Sequence, residues 1–391
     1  MRVEYIFALV IFLWTIGCLS PYKMNTFLSS YGKSGKQQQK KYHLLVGTYT
    51  SSGESEGIYV YDYNSQTGDV RYKTKAIVQN PSYLAISSNR LKVYSVTEVG
   101  KGGGAISAFD FDPHSGKLKY INSVLSGGNG PCYVEVSAKG DYVFSANYGG
   151  GSLSAIRVNE DGSLDSNIQV VQHEGKSIHK DQYKPHVHSV ILSPDNKFLI
   201  AADLGTDKIH LYRFEPGQQK LLKPSEPSFI TTKPGSGPRH IIFHPNGQYL
   251  YCVNELDGSV SAYKYGDGKL DELQTITMLP DDYKGNIEAA DIHVSADGKF
   301  LYASNREDLN EILTYSIENN GQLKYVHRNS VLGKAPRNFA IDPSSHFVFV
   351  ANQNTNEVVV FRRDQKTGVL TFAGKRIPVS RPVCLKFVQI P

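Results

Sequence analysis

The segment Pro238–Glu255 holds two short apolar runs separated by a Pro-Asn-Gly turn, with polar residues at both outer ends. The first run is Ile241-Ile242-Phe243 and the second is Tyr249-Leu250-Tyr251-Cys252-Val253. Runs of this length around such a turn predict strand, tight turn, strand. The unit recurs. Equivalent turns open at Ser87, Ser137, Ser193, His244, Ser295 and Asp342, with spacings of 50, 56, 51, 51 and 47 residues. A strand follows each turn, as in Tyr142-Val143-Phe144-Ser145-Ala146-Asn147. After a polar loop comes a third strand, such as Ser259–Tyr265, then a Gly-bearing turn and a weaker fourth strand. Four short strands in a period of about 50 residues predict an all-β fold built from propeller blades.

Six copies are complete and a seventh is divided between the ends of the chain. Pro382–Phe387 reads as a first strand with nothing after it, and His43–Thr50 as a second strand with no first. Joining them gives seven four-stranded blades with a split closing blade, and leaves no open sheet edge in the ring. The predicted propeller domain is 42–391.

Blade geometry then locates the chemistry. Strands of an antiparallel blade alternate in direction, so the start of the first strand and the end of the second share one face. The turns lie on the other. Polar residues before the first strands (His186, His188, Arg239, His240, Arg337) therefore meet those after the second strands (Asn147, Tyr148, Glu255, Arg306, Asn352) at one mouth of the central channel. Asn147, Asn254, Asn305 and Asn352 recur at one repeat position, which suggests hydrogen bonding within the strand-end loop. His244 takes a turn position filled elsewhere by Ser or Asp and reads as structural.

Composition changes this picture little. With 25 Tyr, 17 Phe and 35 Gly among 391 residues, the chain favours strands and turns. The net charge of +5 is spread out, with no basic block of the kind that marks a nucleic-acid surface. Cys132, Cys252 and Cys384 have neither zinc-site nor disulfide spacing and are expected to be buried free thiols. His173, His179, His186 and His188 lack metal-ligand spacing, so no metal or other cofactor is expected. Gly149-Gly150-Gly151 has no helix after it, which argues against a phosphate cradle.

The N-terminus stands apart. Arg2 precedes an apolar run of 13 residues, Tyr5 to Gly17, too short to span a bilayer comfortably. Residues 1–18 are expected to be a secretory signal. Thr15-Ile16-Gly17-Cys18 is similar to the cleavage box of bacterial lipoproteins, which would make Cys18 a lipidated first residue. A plain signal peptide and an uncleaved anchor are the alternatives. Residues 19–41 read as a flexible tether. The expected product is an exported monomer, in the periplasm or cell envelope if the source is bacterial, touching membrane only through its N-terminus.

The chain resembles the lactonase family of seven-bladed propellers, which includes a 6-phosphogluconolactonase and a fungal enzyme that lactonises carboxymuconate. The resemblance spans His43 to Phe387. It rests on Val46-Gly47-Thr48-Tyr49-Thr50, Ser145–Ser152, Pro185-His186-Val187-His188, Asp203–Lys208, Gly237-Pro238-Arg239-His240 and Ser304-Asn305-Arg306. It implies a sugar-lactone substrate and an active site containing a His of the His186/His188 pair, Arg239, Glu255 and Arg306. Asp181-Gln182 stands where the family often has an Arg-Gln pair.

In chemical terms a His would act as base, an Arg would stabilise a carbonyl oxyanion, and a second Arg would grip an anionic group. Glu255 would orient Arg239 or a water. Of the two histidines, one alone is expected to enter the channel. His240, Asn147, Tyr148, Arg337 and Asn352 are the expected substrate contacts. A muconate-type cycloisomerase and a non-catalytic binding propeller are the competing readings.

Overall fold

A computed structural model describes residues 41–100 and 102–390. The leader 1–18, with Cys18, lies outside the described residues, as does the tether 19–41 apart from Lys41. Among the described residues there are seven antiparallel four-stranded sheets and no helix.

Blade 1 is the split one. Its inner strand, Pro382–Gln389, pairs with Tyr42–Thr48, followed outward by Gly57–Asn64 and Asp69–Ile77. Blades 2 to 7 are continuous in the chain, at 84–125, 131–172, 187–231, 238–277, 289–330 and 336–378. The inner strand of each blade touches the inner strands of both neighbours, so the ring is closed.

The blades are apolar where they face each other. Second strands such as Phe198–Asp203 and Phe347–Asn352 are buried at every position, whereas outermost strands alternate between exposed and covered. Aromatic residues bridge adjacent blades. Tyr251 and Tyr302 donate their hydroxyls to the Gly321 and Gly368 carbonyls of the next blade, at 3.0 and 2.8 Å. Gly268, in an outer hairpin at φ 72°, lies against the Phe198 ring; a Cβ there would come within 2.2 Å of a ring carbon.

On the turn face, Ser137, Ser193 and Ser295 each accept a backbone N–H from five residues on through Oγ, at 3.0 Å. Asp342 does the same with a carboxylate, at 2.8 Å. His244 instead reaches the Gly298 carbonyl of the next blade through Nε2, 2.9 Å away, as its structural reading implied. The three cysteines are buried and free.

Candidate active site

One irregularity, repeated around the ring, builds the site. In blade 5, Pro238 pairs with Asn254 and His240 with Val253, so Arg239 is skipped by the register. A bulge of this kind re-aims the unpaired residue. The same shift falls after Pro131, Val187, Ala289, Pro336 and Pro382. Equivalent bulged residues are therefore Cys132, His188, Arg239, Ala290, Arg337 and Val383. The residues just past the second strands form a companion set: Tyr49, Glu98, Tyr148, Leu204, Glu255, Arg306 and Gln353.

Arg239 is 1% exposed despite its charge. Its Nε donates to Glu255 Oε2 at 2.5 Å and its Nη1 to the Ala290 carbonyl. Its Nη2 has no hydrogen-bond partner among the described residues. Burial pushes the guanidinium down to about 10, with Glu255 opposing, so it stays cationic near neutrality. Glu255 Oε1 lies 3.2 Å from Arg306 Nη2, and Arg306 Nη1 lies 3.2 Å from Glu288 Oε2. Glu255 thus sits between the two arginines, as like charges so close require. Burial would raise its carboxyl, but Arg306 and Arg239 hold it below the usual carboxylate range.

Arg337 lies 5.5 Å from the centre of the Tyr49 ring and has no ion pair among the described residues. The Tyr49 hydroxyl donates to Glu98 Oε2 at 2.9 Å, and Ser82 donates to the same oxygen. Burial alone would lower the Arg337 pKa; Tyr49, Glu98 and Glu255 turn the shift upward. Arg337 is the mouth arginine without a partner carboxylate.

Both histidines of the Pro-His-x-His segment pack on the Tyr148 ring, so they are not separated onto opposite sides of the segment. Residues two apart on an extended chain share a face. His186 stacks on the Tyr148 ring at 4.5 Å and His188 meets it nearly edge-on at 5.3 Å. Their nitrogens differ. His186 Nδ1 lies 3.0 Å from the Tyr148 carbonyl, and its Nε2 is buried without a partner. His188 faces Cys132, with Nδ1 3.8 Å from Sγ. Burial, then Arg239, His240 and Arg337, push the His188 imidazole well below 6.5.

Three of the expected substrate contacts are placed differently. Asn147 and Asn352 are fully buried. The Asn147 amide donates to Ser152 and Ser154, and that of Asn352 to the Val331 carbonyl. Both tie strand ends together, as their recurrence suggested, and neither reaches the mouth. His240 lies one position further along the inner strand than Arg239 and is 5% exposed. Its Nδ1 is 2.8 Å from Asp291 Oδ1. Tyr148 and Arg337 do belong to the mouth.

Beside Glu255 and Tyr148 opens a cavity of about 700 Å³, lined also by His179, Lys180, Asp181, Glu288 and Glu307. Gln182 is not part of it: its amide donates to the Leu204 carbonyl and to Asp207, at 2.8 and 2.7 Å.

Tyr49, Glu98, Cys132, Glu288 and Asp291 are not among the site residues that the sequence predicts. Glu98 and Tyr49 occupy the same repeat position as Glu255, and Asp291 the same one as His240. Aligning the repeats residue by residue would have exposed these three. Asp203 replaces the recurrent Asn in blade 4 and accepts from the His186 backbone N–H at 2.8 Å. It also pairs with His173 Nδ1 at 2.9 Å. With His210 these residues gather ligand-type atoms within 4.8 Å, but Nε2 of His173 already bonds the Tyr212 hydroxyl at 2.9 Å. The group forms a hydrogen-bonded support under His186.

A seven-bladed ring with arginines, carboxylates and imidazoles around one mouth defines a propeller with an enzyme-like polar site. The chain matches the family described as "Lactonase, 7-bladed beta-propeller" over residues 43–387, and belongs to it. It is 38% identical to a 6-phosphogluconolactonase of Bacillus subtilis, over 89% of this chain and 99% of the relative. A 6-phosphogluconolactonase of Formosa agariphila is 39% identical over 84% of this chain and 94% of its own length. Among solved structures, the periplasmic gluconolactonase of Pseudomonas aeruginosa superposes with a TM-score of 0.87 at 41% identity. That match covers 90% of this chain and all of the other.

Proposed function

We propose that the chain hydrolyses a sugar lactone of the gluconolactone type at this mouth. The observation that carries the reading is the Arg239–Glu255–Arg306 bridge beside an unpaired Arg337, in a chain whose relatives are named for this activity. Hydrolysis requires a nucleophilic water and a cation for the carbonyl oxygen as it becomes an oxyanion. Arg239 Nη2 is a free donor on an otherwise fixed guanidinium, which suits an oxyanion contact. Arg337 supplies a cation that has no partner carboxylate among the described residues. The base is sought between His188 and His240, whose rings lie 5.3 Å apart. His186 differs in that its Nδ1 faces a backbone carbonyl, at 3.0 Å, rather than a carboxylate.

The charge balance favours a neutral lactone. Asp181, Glu255, Glu288 and Glu307 line the cavity against Lys180 and His179, and Arg306 is already shared by Glu255 and Glu288, so a phosphate there would compete with those carboxylates for it. Plain δ-gluconolactone is expected to exceed its 6-phosphate in kcat/KM by roughly fivefold, the scale of the about 1 kcal/mol between two water-exposed charges roughly 4 Å apart. Assaying both side by side, with spontaneous hydrolysis subtracted, tests this. A preference for the phosphate would overturn it, and no turnover of either would overturn the lactonase reading. A muconate-type diacid is disfavoured because Arg239 and Arg306 already share Glu255.

Export follows from the apolar segment before Cys18, and the superposable Pseudomonas protein is described as periplasmic. We take Cys18 as a lipidated first residue. Fractionation should then find the protein with membranes and the Cys18→Ser variant outside that fraction. A mature cytosolic chain beginning at Met1 would contradict this.

A further inference from the structure

We propose that the base is His240, oriented by Asp291, and that the attacking water reaches it from the channel side while the lactone enters at the mouth. This rests on the lactonase reading. The argument begins with the repeat. Positions equivalent to His240 are Tyr83, Tyr133, Ser189, Asp291, Asn338 and Cys384, and they form the layer beneath the mouth. Two neighbours in this layer form an imidazole–carboxylate pair. His240 Nδ1 is 2.8 Å from Asp291 Oδ1, and Nε2 has no hydrogen-bond partner among the described residues.

Asp291 is itself over-determined. Its Oδ2 accepts from Asn338 Nδ2 at 2.5 Å and the Phe339 N–H at 3.1 Å, and lies 3.0 Å from His293 Nε2. Burial would raise this carboxyl, but His293 and His240 hold it well below 3.8. A fixed carboxylate on Nδ1–H leaves Nε2 with the lone pair and stabilises the imidazolium that forms when that nitrogen takes a proton. His188 lacks such support, since its nearest partner is a thiol. Arg239 and Arg337 oppose positive charge on both imidazoles, and burial together with Arg239 pushes His240 down to about 4 against the pull of Asp291.

The groups facing His240 are Asp291 at Nδ1, Arg239 before it in the strand, Arg337, the His188 ring, and Tyr83 and Tyr133 edge-on at 5.9 and 5.4 Å. Lys386 lies beyond, over Tyr83. In the reaction the water oxygen bonds the lactone carbonyl carbon while His240 Nε2 takes one water proton. The tetrahedral oxyanion rests on Arg239. On collapse the carbon–ring-oxygen bond breaks, and the departing oxygen receives that proton from His240. Lactone and water become one hydroxy acid. Asp291 is a positioning residue throughout.

The test uses the full chain and δ-gluconolactone. His240→Gln and His240→Ala should each lower kcat on the order of 10²- to 10³-fold with KM little changed, and added imidazole should restore part of the rate to His240→Ala. Asp291→Asn should lower kcat and move the acid limb of the kcat/KM profile to lower pH, because the charge that supports the imidazolium is gone. Melting curves establish that the variants are folded. A folded His240→Gln with near-parental kcat, alongside an inactive His188→Ala, overturns the dyad and leaves the lactonase reading intact. An unshifted acid limb in folded Asp291→Asn overturns the role of Asp291. A parent inactive on every gluconolactone sinks the function and the dyad together.

Discussion

Replacing Arg239 with Lys is expected to lower kcat on plain δ-gluconolactone on the order of 10²-fold while the protein still folds. The substitution keeps a positive charge at a position that is 1% exposed, so Glu255 retains a counter-ion. It removes the planar fork. In the parent, Nε holds Glu255 and Nη1 holds the Ala290 carbonyl, which fixes Nη2 at the mouth without further ordering. An ammonium on a flexible stem cannot hold both partners in that geometry and also present a donor to the oxyanion. The loss should fall mainly on kcat, because the contact strengthens as charge develops on the oxygen. The measurement is a steady-state comparison with a melting curve for each protein. Near-parental kcat in Arg239→Lys would place the oxyanion contact elsewhere, with Arg337 the next residue to test.

Deleting residues 382–391 should abolish the soluble native state. The inner strand of blade 1 lies within this segment and pairs with Tyr42–Thr48 from Tyr42↔Gln389 to Thr48↔Pro382. Its loss exposes that edge to other chains. It also removes Val383, Cys384, Leu385 and Val388, each at most 3% exposed, from the packing between blades 1, 2 and 7. At about 1.5–3 kcal/mol per buried apolar side chain, the loss approaches the roughly 5–15 kcal/mol by which domains are stable at all. Size-exclusion chromatography and near-UV circular dichroism should find aggregate, or a compact species without fixed aromatic packing. A truncated monomer with unchanged melting would show that closure through 382–389 is dispensable.

The repeat was fully legible in the chain because its cause is local. Apolar runs of strand length, a Ser or Asp accepting a backbone N–H across every repeat turn but the one at His244, and glycines at left-handed hairpin positions are set within a few residues of one another. Their spacing of about 50 residues then permits only a ring of blades. The split blade followed from Pro382–Phe387 and His43–Thr50, each lacking what the other supplies. The gathering of Arg239, Glu255, Arg306 and Arg337 at one mouth followed from strand direction alone.

What tertiary structure decided was which polar groups are spent on each other. Asn147 and Asn352 look like mouth residues in the repeat, yet both are consumed by strand-end hydrogen bonds. His186 and His188 are near-equivalent in the sequence, and only their neighbours across the blades, the Tyr148 carbonyl and the Cys132 thiol, distinguish them. The bulge that turns Arg239 toward the mouth leaves His240 in the layer below, within reach of Asp291 51 positions away. The lone Arg337 and the carboxylate shared by Arg239 and Arg306 arise the same way. Hydrophobic period and turn chemistry act along the chain and reveal themselves in it, whereas charge pairing acts between side chains of different blades and depends on ångström-scale register that only the closed ring sets.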